Sequence, residues 1–204
     1  MKRVSTERYD SREQNVTDQC FVASLQRKLT LVKTTGAIGI GSNQGQRSDL
    51  LKQARELIEQ RWNATMRESA IFETEAWGMP EGTPAFLNQV LLFEWSAAPN
   101  PETLLEELLD IEHALGRKRT FTATQTYQSR IIDLDLLFLG NHMHSSDRLE
   151  LPHPRMISRR FVMEPLSELC PDFILQPWGK SVRDLLDSCP DETPVRSYLD
   201  APES

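Results

Sequence analysis

Apolar positions fall into a regular pattern from Gly36 onward. Ala37-Ile38-Gly39-Ile40-Gly41 reads as a short strand that ends in the turn Gly41-Ser42-Asn43. Leu50, Leu51, Ala54, Leu57 and Ile58 then recur at helical spacing, with Ser48 placed to cap that helix. Met66 to Thr74, with apolar Ala70 and Phe72, predicts a second strand. Two glycines and two prolines between Trp77 and Pro84 predict a loop, and Phe86 to Trp95, rich in β-formers, a third strand.

Asn100-Pro101-Glu102 has the composition of a helix start: an amide cap, proline at the first helical position, and an acid near the positive end of the dipole. Leu104, Leu105, Leu108, Ile111 and Leu115 form its apolar stripe, and Gly116 ends it. After a basic, Thr-rich stretch, Arg117 to Ser129, the run Arg130 to Leu139 predicts a fourth strand. The order strand, helix, strand, strand, helix, strand predicts an α+β fold. Its core is a ferredoxin-like βαββαβ unit, an antiparallel sheet with two helices on one face. From Asp147 to Leu186 the pattern reads as a short strand, a loop and one or two helices broken by Pro165 and Pro171. The expected organisation is an N-terminal extension over 1–35 without order, a folded domain over 36–190 and a tail over 191–204.

The 204 residues, 39% hydrophobic and 26% charged, suit one globular domain with an extension. No apolar run approaches the roughly 20 residues of a membrane helix. The formal charge of −7 argues against a general nucleic-acid binder but leaves room for a local basic pocket. The first 35 residues carry seven basic and four acidic side chains, and their mildly apolar patch, Cys20 to Leu25, is too short and polar for a signal sequence. The three cysteines, Cys20, Cys170 and Cys189, are odd in number and lack metal-ligand spacing, so a reducing compartment, the cytoplasm, is expected.

Chemistry concentrates in Arg130-Ile131-Ile132-Asp133-Leu134-Asp135. Side chains alternate along a strand, so Asp133 and Asp135 share one face, while Ile132, Leu134 and Leu136 share the other. Carboxylates about 7 Å apart repel by roughly 2–3 kcal/mol at an effective dielectric near 20. A compensating cation is needed, and hard oxygen ligands without Cys or His favour Mg²⁺ over zinc. The alternative is a solvated face whose acids pair with Arg or Lys. Arg117, Lys118 and Arg119 before the strand, Arg130 beside the acids, and Arg148, His153, Arg155, Arg159 and Arg160 after it resemble a polyphosphate–metal site. His153 stands between two prolines, held to bind phosphate or base, or simply hydrogen-bonded within its loop. Phe72, Trp77, Phe86 and Phe161 are candidates to hold a flat heterocycle or to fill the core. Asn88 shares a strand face with Phe86 and Val90, where an amide needs partners. Walker-type, serine-hydrolase and CxxC motifs are absent.

Together, Ile40-Gly41-Ser42-Asn43, Phe86-Leu87-Asn88, Leu115-Gly116-Arg117-Lys118-Arg119, Arg130 to Asp135, and Leu151-Pro152-His153 through Arg159 and Phe161 resemble the 6-hydroxymethyl-7,8-dihydropterin pyrophosphokinases of folate synthesis. The resemblance spans roughly Ala37 to Leu186. It implies transfer of pyrophosphate from ATP to the pterin hydroxymethyl group, leaving AMP. It also implies two Mg²⁺ ions on Asp133 and Asp135, and Arg117 and Arg130 on the β- and γ-phosphates. Glu112, Arg119, Arg148, His153 and Arg159 match nucleotide-side positions. Phe161 with Phe72 or Phe86 would stack the pterin, Asn88 would read its edge, and Thr74 and Trp77 would add contacts from a loop. Asp133 is the candidate for taking the proton of the attacking hydroxyl. A monomer is expected, with no nucleic-acid or membrane partner, and the Arg117–Ser129 loop is expected to close over ATP. Tyr127, Gln128, Phe86 and Glu75-Ala76-Trp77 depart from the family pattern, which touches loop geometry and the pterin edge. A binding module without catalysis would explain the fold and the aromatics but not paired acids beside Arg130. A different Mg²⁺-dependent phosphotransferase would leave Asn88 to be explained otherwise.

Overall fold

The computed structural model describes residues 33–76, 79–117 and 129–199. The compact unit that carries all the described elements begins at Thr34. Strand β1 (Thr34–Ser42) is followed by α1 (Arg47–Arg61), β2 (Thr65–Glu68), β3 (Phe72–Thr74) and β4 (Phe86–Trp95). Helix α2 (Pro101–Ala114) leads to β5 (Asp133–Leu139) and the hairpin β6 (His144–Ser145) with β7 (Glu150–Leu151). A 3₁₀ turn over Met156–Ser158 precedes α3 (Arg160–Leu169). The hairpin β8 (Ile174–Leu175) with β9 (Lys180–Ser181), α4 (Val182–Asp187) and β10 (Arg196–Ser197) complete the order.

The main sheet runs β10-β3-β4-β1-β5, with β2 also paired to β4, and every pairing is antiparallel. This is the expected βαββαβ arrangement, with β1 and β4 at its centre. Alternation along these strands builds two cores. Ile38, Ile40, Leu87, Leu91, Phe93, Leu134 and Leu136 pack against Leu51, Ala54 and Ile58 of α1 and Leu104, Leu108 and Ile111 of α2. On the opposite face Ala37, Val90, Leu92, Leu137 and Phe138 meet Val162, Met163 and Leu166 of α3 and Val182 and Leu185 of α4. Each fully buried Leu or Phe contributes about 1.5–3 kcal/mol by leaving water. A register shift opposite Ala37 and Ile38 lets Leu137 and Phe138 enter the same core, because the bulge interrupts the alternation.

The structure redraws several boundaries. The single strand expected over Met66 to Thr74 is two. Between the pairs Glu68↔Leu91 and Phe72↔Asn88, three residues (Ser69, Ala70, Ile71) face two (Gln89, Val90). The extra residue breaks the ladder, and its polar groups find other partners. The Val90 amide donates to Ser69 Oγ at 3.0 Å, and the Ala70 amide to Glu168 Oε2 at 2.9 Å. Helix α1 starts at Arg47 with Gln46 in the cap position and no side-chain cap, so Ser48 lies inside it. Arg130 precedes β5 rather than opening it. Pro165 does not break α3; it sits inside the helix, buried with Val162, Met163 and Leu166. β10 has no signature in the hydrophobic pattern and falls in the span expected to be a tail. Of the expected N-terminal extension, residues 1–32 lie outside the described residues. Among the described residues no helix is long and apolar enough to cross a membrane.

Asn100 caps α2 as its sequence predicts: its Oδ1 accepts from the amides of Glu102 and Thr103 at 2.9 and 3.3 Å. At the other end Gly116, at φ +92°, turns the chain into Arg117, a conformation a side chain would strain. Asn100→Ala is expected to lower unfolding free energy by about 1 kcal/mol in urea titrations. A change below about 0.3 kcal/mol would mean the cap contributes little beyond what water supplies.

Candidate active site

On the face turned toward α3, the centre of the sheet is floored by glycine. Gly39 stands between Val90 of β4 and Asp135 of β5, and Gly41 between Asn88 and Asp133. With no side chains on these two positions, the neighbouring strands wall a trough. A Cβ on Gly41 would come within 3.0 Å of Asn88 Oδ1, so the carboxamide oxygen points over the floor. One wall holds Asn88, Phe86 and Thr74, the other Asp133, Asp135 and Arg130, with Phe161, Val162 and Arg159 added from α3 and the residue before it. Asn88 Nδ2 donates to Thr74 Oγ1 at 2.8 Å, which fixes the amide's orientation.

The charged wall is a network. Arg117 Nη1 donates to Asp133 Oδ1 at 2.5 Å, and Arg130 Nη1 donates to Asp133 Oδ2. Arg117 also pairs with buried Glu112 of α2, whose Oε1 accepts the Leu134 amide at 2.9 Å. That carboxylate therefore ties helix, arginine and strand together. Burial opposes the charge of Arg117, yet Asp133 and Glu112 outweigh it and hold the guanidinium above its ordinary pKa.

Asp135 is less well compensated. Arg159 Nη1 lies 3.5 Å from its Oδ2, beyond a good hydrogen bond. Burial, then the neighbouring Asp133, push its carboxyl up to about 6, with Arg159 and Arg130 opposing. Arg159 itself is buried, its Nε has no hydrogen-bond partner among the described residues, and its guanidinium lies 5.6 Å from the Phe161 ring centre. Nearby, burial and then Arg159 and Arg155 lower His153 to about 4. Its Nδ1 accepts the Arg155 amide at 3.2 Å, so the neutral ring carries its proton on Nε2 and presents a donor there.

The sequence-predicted residues Thr74, Phe86, Asn88, Arg130, Asp133, Asp135, Arg159 and Phe161 thus line one trough, with Glu112, Arg117 and His153 next to it. Phe72 is buried in β3, and Phe86 rather than Phe72 lines the trough. Arg148 is exposed and pairs with Glu106 of α2 at 3.3 Å rather than with either aspartate. Arg119 and Trp77 lie outside the described residues, as do Tyr127, Gln128 and most of the loop expected to close.

Sequence reasoning did not assign the floor or its staple. Gly39-x-Gly41 matters because two glycines on one strand face open a gap, a period-2 signal at the end of an apolar run. Asn43, 2% exposed, donates through its amide to Arg130 O and accepts the Arg130 amide at 2.7 Å. Its Nδ2 reaches Pro84 O at 3.2 Å and Ser129 Oγ at 3.1 Å, and Ser42 Oγ donates to Ile131 O at 2.6 Å. Small polar residues directly after a buried strand carry that signal.

A sheet of this order, bearing paired acids and guanidinium groups on its open face, is a ferredoxin-like α+β domain. Residues 37–171 match the family described as 7,8-dihydro-6-hydroxymethylpterin-pyrophosphokinase (HPPK), and the chain belongs to that family. It is 38% identical over 134 residues to the 2-amino-4-hydroxy-6-hydroxymethyldihydropteridine pyrophosphokinase of Bacillus subtilis, covering 65% of this chain and 76% of that protein. The protein of the same name from Synechocystis is 35% identical over 151 residues, covering 74% of this chain and 73% of its own length. The crystal structure of wild-type Plasmodium falciparum HPPK-DHPS with SDX-DHP shares the fold at TM-score 0.57 and 11% identity, over 77% of this chain and 44% of that longer one.

The folded protein holds the Asp135 proton more tightly than the unfolded chain does, so ionisation costs stability as pH rises from 3.8 towards 6. With 38% of the side-chain surface open, solvent reduces that cost. Asp135→Asn is expected to raise Tm near pH 7.5 and to change it little near pH 4, in melts run with EDTA. An equal shift at both pH values would exclude this account.

Proposed function

We propose that the protein transfers the pyrophosphoryl group of ATP to the hydroxymethyl oxygen of 6-hydroxymethyl-7,8-dihydropterin, yielding AMP and the pterin diphosphate for folate synthesis. The observation that carries this reading is the pairing, in one glycine-floored trough, of an amide-edged aromatic wall with Asp133, Asp135 and the guanidinium groups of Arg130 and Arg159, with Arg117 bonded to Asp133 from beside it. A flat bicycle with a hydrogen-bonding edge fits the first wall, and a polyphosphate fits the second.

The donor set suits Mg²⁺. Among the described residues no third His, Cys, Asp or Glu stands with the two aspartates, so phosphate oxygens and water would complete the shell of hard oxygens. Asp133 and Asp135 would hold two ions, which would supply positive charge to neutralise the polyphosphate. The other roles belong to this chain's own side chains. Phe86 and Phe161 stack the pterin, while Asn88 and Thr74 read its edge, with Trp77 as a further contact. Arg117 and Arg130 release Asp133 and engage the β- and γ-phosphates, charge for charge. Arg159, with an unpaired Nε, and His153, donating through Nε2, hold further phosphate oxygens. Arg119 and Arg148 belong to the same nucleotide side, Arg148 after leaving Glu106. Glu112 acts by holding Arg117.

A new bond forms from the hydroxymethyl oxygen to the β-phosphorus as the bond to the α-phosphate oxygen breaks. The hydroxyl proton passes to Asp133. No covalent nucleophile is needed, because alignment and charge neutralisation carry such transfers. A cytoplasmic monomer that binds neither nucleic acid nor membrane completes the reading.

The test is product analysis with ATP, Mg²⁺ and hydroxymethyldihydropterin. AMP is expected to appear only with pterin present, in equal amount to pterin diphosphate, and EDTA is expected to abolish it. Asp133→Ala and Asp135→Ala are expected to cut kcat on the order of 10³-fold, and Arg117→Ala about 10²-fold. ADP as the product would replace this reading with simple phosphoryl transfer.

A further inference from the structure

Residues 191–198 lie beyond the matched span of 37–171 and bond to two elements that flank the trough, the start of α3 and the edge strand β3. At one end, Asp191 is buried, and its Oδ2 accepts the Arg160 amide at 3.0 Å while its Oδ1 accepts the Thr193 amide at 3.0 Å. Arg160 is the first residue of α3, so this bond pins the backbone between Arg159 and Phe161, the cation and ring that α3 contributes to the site.

At the other end, β10 pairs with β3, Arg196 opposite Glu73 and Ser197 opposite Phe72. The Tyr198 amide adds a bond to Ile71 O at 2.8 Å. The Tyr198 ring packs against the helical core with the Arg47 guanidinium 5.9 Å from its centre. Arg47 in turn reaches Glu73 Oε1 at 2.8 Å and Ala85 O at 2.8 Å. Glu73 precedes Thr74 and Ala85 precedes Phe86, two residues of the aromatic, amide-edged wall. Three residues of β3 paired to β4 alone would make a weak edge, which β10 covers.

We propose that residues 191–198 form a strap that sets the separation between Phe161 at the start of α3 and the wall that carries Thr74 and Phe86, and so the trough's affinity for the flat heterocycle, with Asp191 and Tyr198 as positioning residues. The ligand half of this inference rests on the function proposed above. The strap acts at a distance: it touches neither ligand, but it holds the strand that carries Thr74 and the helix start that carries Phe161. The nucleotide's principal partners, Arg117, Arg130, Asp133 and Asp135, are anchored instead by α2, β5 and Asn43. Loosening the β10 end should therefore separate the two substrates energetically.

Tyr198→Ala and Tyr198→Phe are to be compared in the full chain, with dissociation constants for hydroxymethyldihydropterin and for a non-hydrolysable ATP analogue. Tyr198→Ala is expected to weaken pterin binding at least fivefold and to leave the ATP analogue within twofold. Tyr198→Phe keeps the ring beneath Arg47 and is expected to stay within twofold of wild type for both. If Tyr198→Ala fails to fold, Tyr198→Leu carries the same expectation at reduced size. Unchanged pterin affinity, or equal loss for both ligands, overturns the proposal. Hydrogen exchange reads the strap without any ligand. Amides of β3 are expected to exchange at least tenfold faster in Tyr198→Ala while those of α2 do not, and unchanged exchange overturns the strap even in an active enzyme. A wild type that binds no pterin, with exchange behaving as expected, removes the functional reading and leaves the strap in place.

Discussion

The site depends on one carboxylate, that of Asp133, held between two guanidinium groups. Arg117 comes from the end of α2 and Arg130 from the approach to β5, so the aspartate joins both ends of the chain segment between them. Glu112 makes the junction rigid by binding Arg117 and the Leu134 amide at once. Removing one member of such a buried set leaves the rest uncompensated, a penalty larger than the attraction of any single pair. The fold meets this demand through register: Asp133 and Asp135 can sit above an open floor only because their partners on β1 are Gly41 and Gly39.

In the function proposed above, the same arginines serve two states. Without phosphate they neutralise the acids, so the free protein does not carry an open cluster of like charge. When a polyphosphate brings its own negative oxygens together with a cation, both sets of charges can be satisfied by exchange rather than by new desolvation. Asn43 supports this by bonding the backbone of Arg130 and the carbonyl of Pro84, which fixes both positions against the end of β1.

Much of this was legible in the residues. The alternation of Asp133 and Asp135 against Leu134 and Leu136 follows from strand geometry, and the Asn100-Pro101-Glu102 start of α2 from capping chemistry. Other features were not, for physical reasons. A bulge at Ser69 is stabilised by Glu168, far away in sequence, so no local pattern reports it. Pro165 carries a breaker's signature, but burial of its ring with Val162 and Leu166 overrides local propensity. β10 pairs two exposed residues with an edge strand, which leaves no hydrophobic alternation to read. The repulsion expected between the two aspartates is present, but it falls unequally on them.

That inequality is the more informative result. Equal carboxylates would share the cost of proximity, and neither would be singled out for ligand chemistry. Here Asp133 receives two close guanidinium groups, whereas among the described residues Asp135 has a single ion pair, the 3.5 Å approach of Arg159, and a carboxyl pushed up to about 6. Arg159 is buried, with its Nε unpartnered among the described residues and its guanidinium 5.6 Å from the Phe161 ring centre. The deficit of positive charge is therefore at the Asp135 end, where the trough is open, and not at the Asp133 end, where α2 closes the network. An arriving cation gains most where compensation is poorest, since the free energy of ionising Asp135 is then recovered along with that of binding. In the function proposed above, Asp135 is then the acid that receives the cation, and Asp133, with two close guanidinium partners, is the one that holds the arginines until phosphate takes them.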